Sequence, residues 1–236
     1  MNINADFSVR ASAHTASMAW IPSPLAGVQR KMLDRIGGEV ARATSIVRYA
    51  PGSAFSPHVH TGGEEFLVLD GVFQDEHGDF PCGAYVRNPP HTSHTPGSAP
   101  GCTILVKLWQ FALDDRTEVR LAAHDYHYVR QDDGTEIMLL HEDSREQVTL
   151  EHWPPGSRFD KPIPGGAEIF VLDGSFTEES ESREGETFIR HSWLRLPAAS
   201  RFVAVAGEDG VHVWAKTGHL EEPLGIDVQE LNSRNE

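Results

Sequence analysis

The chain repeats itself, and that limits what it can fold into. Tyr49-Ala50-Pro51-Gly52-Ser53 is echoed by Trp153-Pro154-Pro155-Gly156-Ser157. Glu65-Phe66-Leu67-Val68-Leu69-Asp70-Gly71 is echoed by Glu168-Ile169-Phe170-Val171-Leu172-Asp173-Gly174, and Tyr85-Val86-Arg87 by Phe188-Ile189-Arg190. Three ordered blocks keep an offset of 103 or 104 residues. A period this long marks a duplicated domain rather than a solenoid repeat. The expected division is residues 1–115 and 116–236, with the boundary in the charged stretch Asp114-Asp115-Arg116.

Both halves read as all-β. Short runs rich in β-branched and aromatic residues, such as EFLVLDGVF, TILVKLWQF, QVTLEHW and EIFVLDGSF, are separated by Gly and Pro about every ten residues. That pattern belongs to a sandwich or barrel. A short piece near residues 112–124 is the best helical candidate.

The stretch PHVHTGGEE, residues 57–65, carries the chemistry. His58 and His60 are two apart, so on a strand both imidazoles point to one face. Gly62 and Gly63 permit a tight turn, which would bring the Glu64 carboxylate back towards them. His94 follows the turn-forming Asn88-Pro89-Pro90 and is the fourth candidate. Three imidazoles and a carboxylate suit Zn, Fe, Mn, Ni or Cu, and ligand type alone does not choose among them. Glu65 is the alternative to Glu64 as the carboxylate, and strand alternation sets the two on opposite faces, so at most one of them faces the histidines. His91 is read as a solvated turn residue, with a role beside the site, as outer hydrogen-bond partner or proton shuttle, as the alternative. His77, in the acidic loop DEHGD, is read as surface.

This spacing resembles the cupin family. Gly52, His58, His60, Glu64 and Gly71 fit its first motif, and Gly83, Pro89 and His94 fit its second. His91 stands where the family has Gly, and Ser98 where the motif usually ends in Asn. The resemblance implies two tandem jelly-roll β-barrels and makes His58, His60, Glu64 and His94 the ligands of one divalent ion. The GGEE turn and the RNPP segment are similar to the cupin domain of ChrR, an anti-sigma factor. That narrower resemblance favours zinc over iron, nickel or manganese. It implies a regulatory or sensor role with a partner protein or small-molecule ligand. The first fifty residues hold no cysteine and only His14, so the anti-sigma domain that precedes such cupins is not expected here. The same subfamily resembles dioxygenases that cleave small aromatic ketones such as 2,4'-dihydroxyacetophenone, which is the alternative activity.

The second repeat reads GSRFDKPIPGGAEIFVLDG. Lys161, Pro162, Ile163 and Pro164 replace the histidine pair, and Ala167 replaces Glu64. Counting onward from Arg190 puts Pro197 in the place of His94. This half is therefore expected to be a degenerate barrel without a metal site, with His152 and His191 structural.

Net charge excludes one class of partner. At −15 the chain is unsuited to a phosphate backbone, so no nucleic acid is expected. No apolar run is long enough to span a membrane, and the N-terminus lacks the pattern of a secretory signal. Cys82 and Cys102 are read as two buried thiols rather than a disulfide. These features point to the cytoplasm, and exposed edge strands would allow a homodimer.

Overall fold

A computed structural model describes residues 1–38, 40–180 and 183–221. Their regular structure is strand apart from two short 3-10 turns, and every strand pairing among them is antiparallel. By compactness they form two units. One comprises residues 1–5 and 19–126, the other residues 6–18 and 127–221. The units therefore do not follow a single cut near residue 115.

In the first unit the main sheet runs Asn2–Ile3, Val28–Gly37, Ala41–Tyr49, Cys102–Leu108, Glu64–Asp75, Tyr85–Asn88, Val119–Leu121. Strand alternation sends Phe66 and Val68 into an apolar core with Phe73, Phe80, Val86, Ile104 and Val106. The opposite face of the same strand carries Glu65, paired in register with Arg87 on one side and Lys107 on the other. All three are 1% exposed. The 12-residue strand Glu64–Asp75 bends at Gly71, whose φ is 73°. A Cβ there would lie 2.1 Å from the Gly101 carbonyl oxygen, so only glycine fits.

The second unit repeats the plan. Its sheet runs Val129–Arg130, Glu136–Glu142, Gln147–Trp153, Ser200–Thr217, Ala167–Glu178, Ser192–Leu196, Ala11–His14. The buried row recurs as Arg195, Glu168 and Lys216. One 18-residue strand, Ser200–Thr217, spans what the first unit divides among Ser93–His94, Gly97–Ser98 and Cys102–Leu108. The core is aromatic: Trp153, Phe159, Phe176, Phe188 and Phe202.

Two expectations are corrected. The stretch 112–124 is not a helix. Val119–Leu121 is a strand against Tyr85–Asn88, followed only by a 3-10 turn at Ala123–Asp125. Its apolar residues form no continuous row at helical spacing, and the open sheet edge beside Tyr85–Asn88 offers its backbone hydrogen bonds instead. The cysteines are both free, but only Cys102 is buried. Cys82 is exposed in the turn after Pro81, where its thiol donates to the Leu69 carbonyl.

Candidate metal centre

The short strand His58–Val59 pairs with Ser93–His94, which sets His58 opposite His94. After Gly62 and Gly63 the chain reverses into Glu64–Asp75. That reversal needs glycine at Gly63, where φ is 79° and a Cβ would strike the Phe111 ring at 2.3 Å. The turn returns the Glu64 carboxylate to the histidines, as the sequence suggested.

The three rings meet. Their centroids are 5.1 Å apart for His58–His60, 4.9 Å for His58–His94 and 4.5 Å for His60–His94. One nitrogen from each lies within 4.8 Å of the others. His60 and His94 are 6% and 2% exposed, while His58 faces solvent.

Two further groups orient the buried rings. Thr92 Oγ1 donates its proton to the Pro89 carbonyl at 2.7 Å, so it accepts from His60 Nδ1 at 3.0 Å. His94 Nδ1 lies 3.2 Å from Asp75 Oδ2 and donates to it. With both Nδ1 atoms acting as donors, the Nε2 lone pairs turn inward, 3.2 Å apart. Glu64 Oε2 joins them, 3.3 Å from His60 Nε2 and 3.5 Å from His94 Nε2. This oxygen is buried and makes no hydrogen bond.

An orphaned carboxylate oxygen beside two inward lone pairs is a set of acceptors with no donor between them. A cation satisfies such a set, and outer partners that fix imidazole tautomers are the usual support of a metal site. The residues therefore fit a divalent ion held by nitrogen and oxygen. Burial, the largest influence, pushes the His60 imidazole down to about 4, against the pull of Glu64, so the ring is neutral and able to ligate. At His94 burial also lowers the value, but the Asp75 hydrogen bond and the Glu64 charge outweigh it and the net shift is upward.

No spacing rule in the sequence points to Thr92 or Asp75. Asp75 ends the strand that Glu64 begins, and its presence in the loop DEHGD was the available signal. His91 does not join the cluster. It is exposed with φ at 75°, and its backbone N–H donates to the His60 carbonyl at 2.9 Å. Glu65 points away and accepts from Tyr85 Oη at 3.0 Å. His77 is exposed, with Nδ1 3.4 Å from Asp75 Oδ1.

Strand register identifies the counterparts in the second unit. Gly97 pairs with Ala54 as Val205 pairs with Arg158, and His94 pairs with His58 as Phe202 pairs with Lys161. The counterpart of His94 is thus Phe202, not Pro197. Register sets Arg195 opposite Glu168 as Arg87 is set opposite Glu65, and Phe188 opposite Phe176 as Phe80 is set opposite Phe73. The echo of Tyr85-Val86-Arg87 is therefore Trp193-Leu194-Arg195 rather than Phe188-Ile189-Arg190, and a count from Arg190 stops five residues too early. Phe202 lies 5.9 Å from Phe176, much as His94 lies 5.7 Å from Phe73. Ile163, in the place of His60, packs on the same core. Ala167 takes the strand position of Glu64, being paired with Thr217 as Glu64 is with Leu108. Apolar groups fill the space that imidazoles line in the first unit. His152 instead stacks on His212 at 3.9 Å, and His191 stacks on Phe170.

Solved structures with a similar fold include a dioxygenase described as putative from Nostoc punctiforme, with a TM-score of 0.74 and 14% identity over 91% of this chain and 85% of that one. Protein Ylba from E. coli gives 0.68 and 12%, covering 91% and 93%. An oxalate decarboxylase from Lactobacillus farciminis gives 0.62 and 9%, covering 91% and 86%. At such identities the likeness speaks for the fold alone. No match was found among curated proteins. The family model of the ChrR cupin-like domain matches twice, at residues 8–112 and 116–221. The chain is a member of the ChrR cupin-like family and carries the domain in two copies.

Proposed function

We propose that His58, His60, Glu64 and His94 hold one divalent metal ion, zinc, and that the chain is a ChrR-like regulatory or sensor protein. The supporting observation is the convergence of three imidazoles on a buried Glu64 oxygen that has no hydrogen bond. In this reading Thr92 and Asp75 keep the two buried rings in the ligating tautomer, and His58 sits at the solvent side. The second unit contributes no ligand and serves packing or a partner surface. The partner is a regulatory protein or a small molecule, in the cytoplasm, with the chain a homodimer.

The exposure of His58 favours a second reading. A closed structural site shields all its ligands, whereas this one is approachable from solvent. A bound ion would there supply Lewis acidity to an incoming oxygen donor. The activity would be a dioxygenase acting on a small ketone, such as 2,4'-dihydroxyacetophenone.

Elemental analysis of protein from cells supplied with iron, zinc, manganese and nickel separates the readings. About one zinc per chain, lost in His58→Ala/His60→Ala, supports the regulator. Iron, nickel or manganese at that level, with oxygen uptake on hydroxyacetophenones or diketones, supports the enzyme. No metal in the wild type would refute the ligand assignment.

A further inference from the structure

A cavity of about 340 Å³ lies in the first unit, apart from the metal ligands themselves. Two of its walls touch the groups that hold the cluster. Thr92 bonds the His60 ring, and His77 contacts Asp75, which bonds the His94 ring. The cavity therefore sits behind the two buried imidazoles.

Its charged lining is arginine. Arg116 Nη1 donates to the carbonyls of Leu113 and Asp115, at 2.9 and 2.5 Å, which pins the guanidinium and leaves its other donors uncommitted. Arg120 is held through Nη1 by Glu118 Oε2 at 2.5 Å, and its Nε is buried without a hydrogen-bond partner. Glu118 is the one carboxylate in the lining. In a chain with a net charge of −15, two guanidinium groups facing one acid in a single cavity form a local reversal of sign. A pinned guanidinium is a preorganised fork for a carboxylate. Pro89 and Pro90 give the cavity an apolar wall. Charge and wall together select an organic anion over an inorganic one. The volume is at the small end of ligand pockets.

We propose that this cavity binds a small organic monocarboxylate, its carboxylate on Arg116 and Arg120 and its apolar body against Pro89 and Pro90. Binding does not depend on the metal reading.

Calorimetric titration of the full chain as purified tests it, with benzoate as the probe and inorganic phosphate beside it. Saturable benzoate binding is expected, with phosphate weaker. Arg116→Gln should weaken benzoate by roughly tenfold or more, the effect of losing a hydrogen bond to a charged group. Glu118→Gln, which removes the competing carboxylate from Arg120, should tighten binding, a gain that misfolding cannot mimic. His58→Ala, outside the cavity, should leave benzoate binding intact, which separates this site from anion capture by a bound metal. No saturation at millimolar benzoate overturns the proposal. So does phosphate binding as tightly as benzoate, an unchanged affinity in Arg116→Gln, an unchanged or weaker one in Glu118→Gln, or loss of binding in His58→Ala.

Discussion

Replacing Thr92 by valine would keep the side chain's shape and remove one oxygen. That oxygen accepts from His60 Nδ1 at 3.0 Å and donates to the Pro89 carbonyl at 2.7 Å. The His60 ring is 6% exposed, so water cannot easily replace the lost acceptor. A buried donor left unsatisfied costs about 1–3 kcal/mol. The ring has one escape, which is to move its proton to Nε2. That would place an N–H where the ligating lone pair now lies, 3.3 Å from Glu64 Oε2. Either way the loaded state suffers more than the empty one. The expected loss is about 10- to 100-fold in zinc affinity, the range found for outer partners of metal-bound histidines. That is about 1.4–2.8 kcal/mol, in line with the hydrogen-bond figure. Competition against a chromogenic chelator measures it directly. Zinc affinity within twofold of the wild type would refute the view that Thr92 fixes the His60 tautomer.

Glu64→Gln should act in opposite directions on the two states. Metal affinity should drop by at least about tenfold, while metal-free protein should melt no lower than wild type, because an amide can donate to the inward lone pairs; chelator competition and melting of stripped protein check each half. Phe202→Ala should destabilise the second unit by about 3–5 kcal/mol in urea denaturation, as expected of a core aromatic, and leave metal content unchanged. Burial, with His152 next in effect, pushes His212 down to about 4. The unfolded chain then binds a proton below about pH 6.5 that the folded chain refuses, so stability present above that pH is lost as pH falls towards 4, by on the order of 1–3 kcal/mol. His212→Gln should flatten this part of the stability profile, and an unaltered slope would discount the residue.

The duplication and the His58, His60, Glu64, His94 spacing were legible because each is local or periodic: a strand places i and i+2 on one face, and glycine permits the reversal at Gly63. Glu65 lies on the other face for the same reason. Thr92 and Asp75 were not foreseen, since their role depends on where ring nitrogens end up after folding, and no spacing rule encodes that. The counterpart of His94 is missed because Phe188-Ile189-Arg190 resembles Tyr85-Val86-Arg87 in sequence while Trp193-Leu194-Arg195 matches it in hydrogen-bond register, and likeness along the chain does not encode register. The 112–124 stretch is not legible in the sequence because a three-residue edge strand carries no usable periodicity.

The buried Arg–Glu–Lys rows of the two units differ in fate from the metal ligands. The second repeat has lost all four ligand positions, yet it keeps Arg195, Glu168 and Lys216 in the register of Arg87, Glu65 and Lys107. A ligand can be lost singly, each step costing function only. One member of a charge row cannot, since removal strands a partner in the interior, which costs about 3–5 kcal/mol. The row behaves as a ratchet: once three charges are enclosed together, replacement demands simultaneous change. It records the common origin of the halves longer than the chemistry does, and in more distant duplicates of this fold it is the trace by which shared descent would still be read.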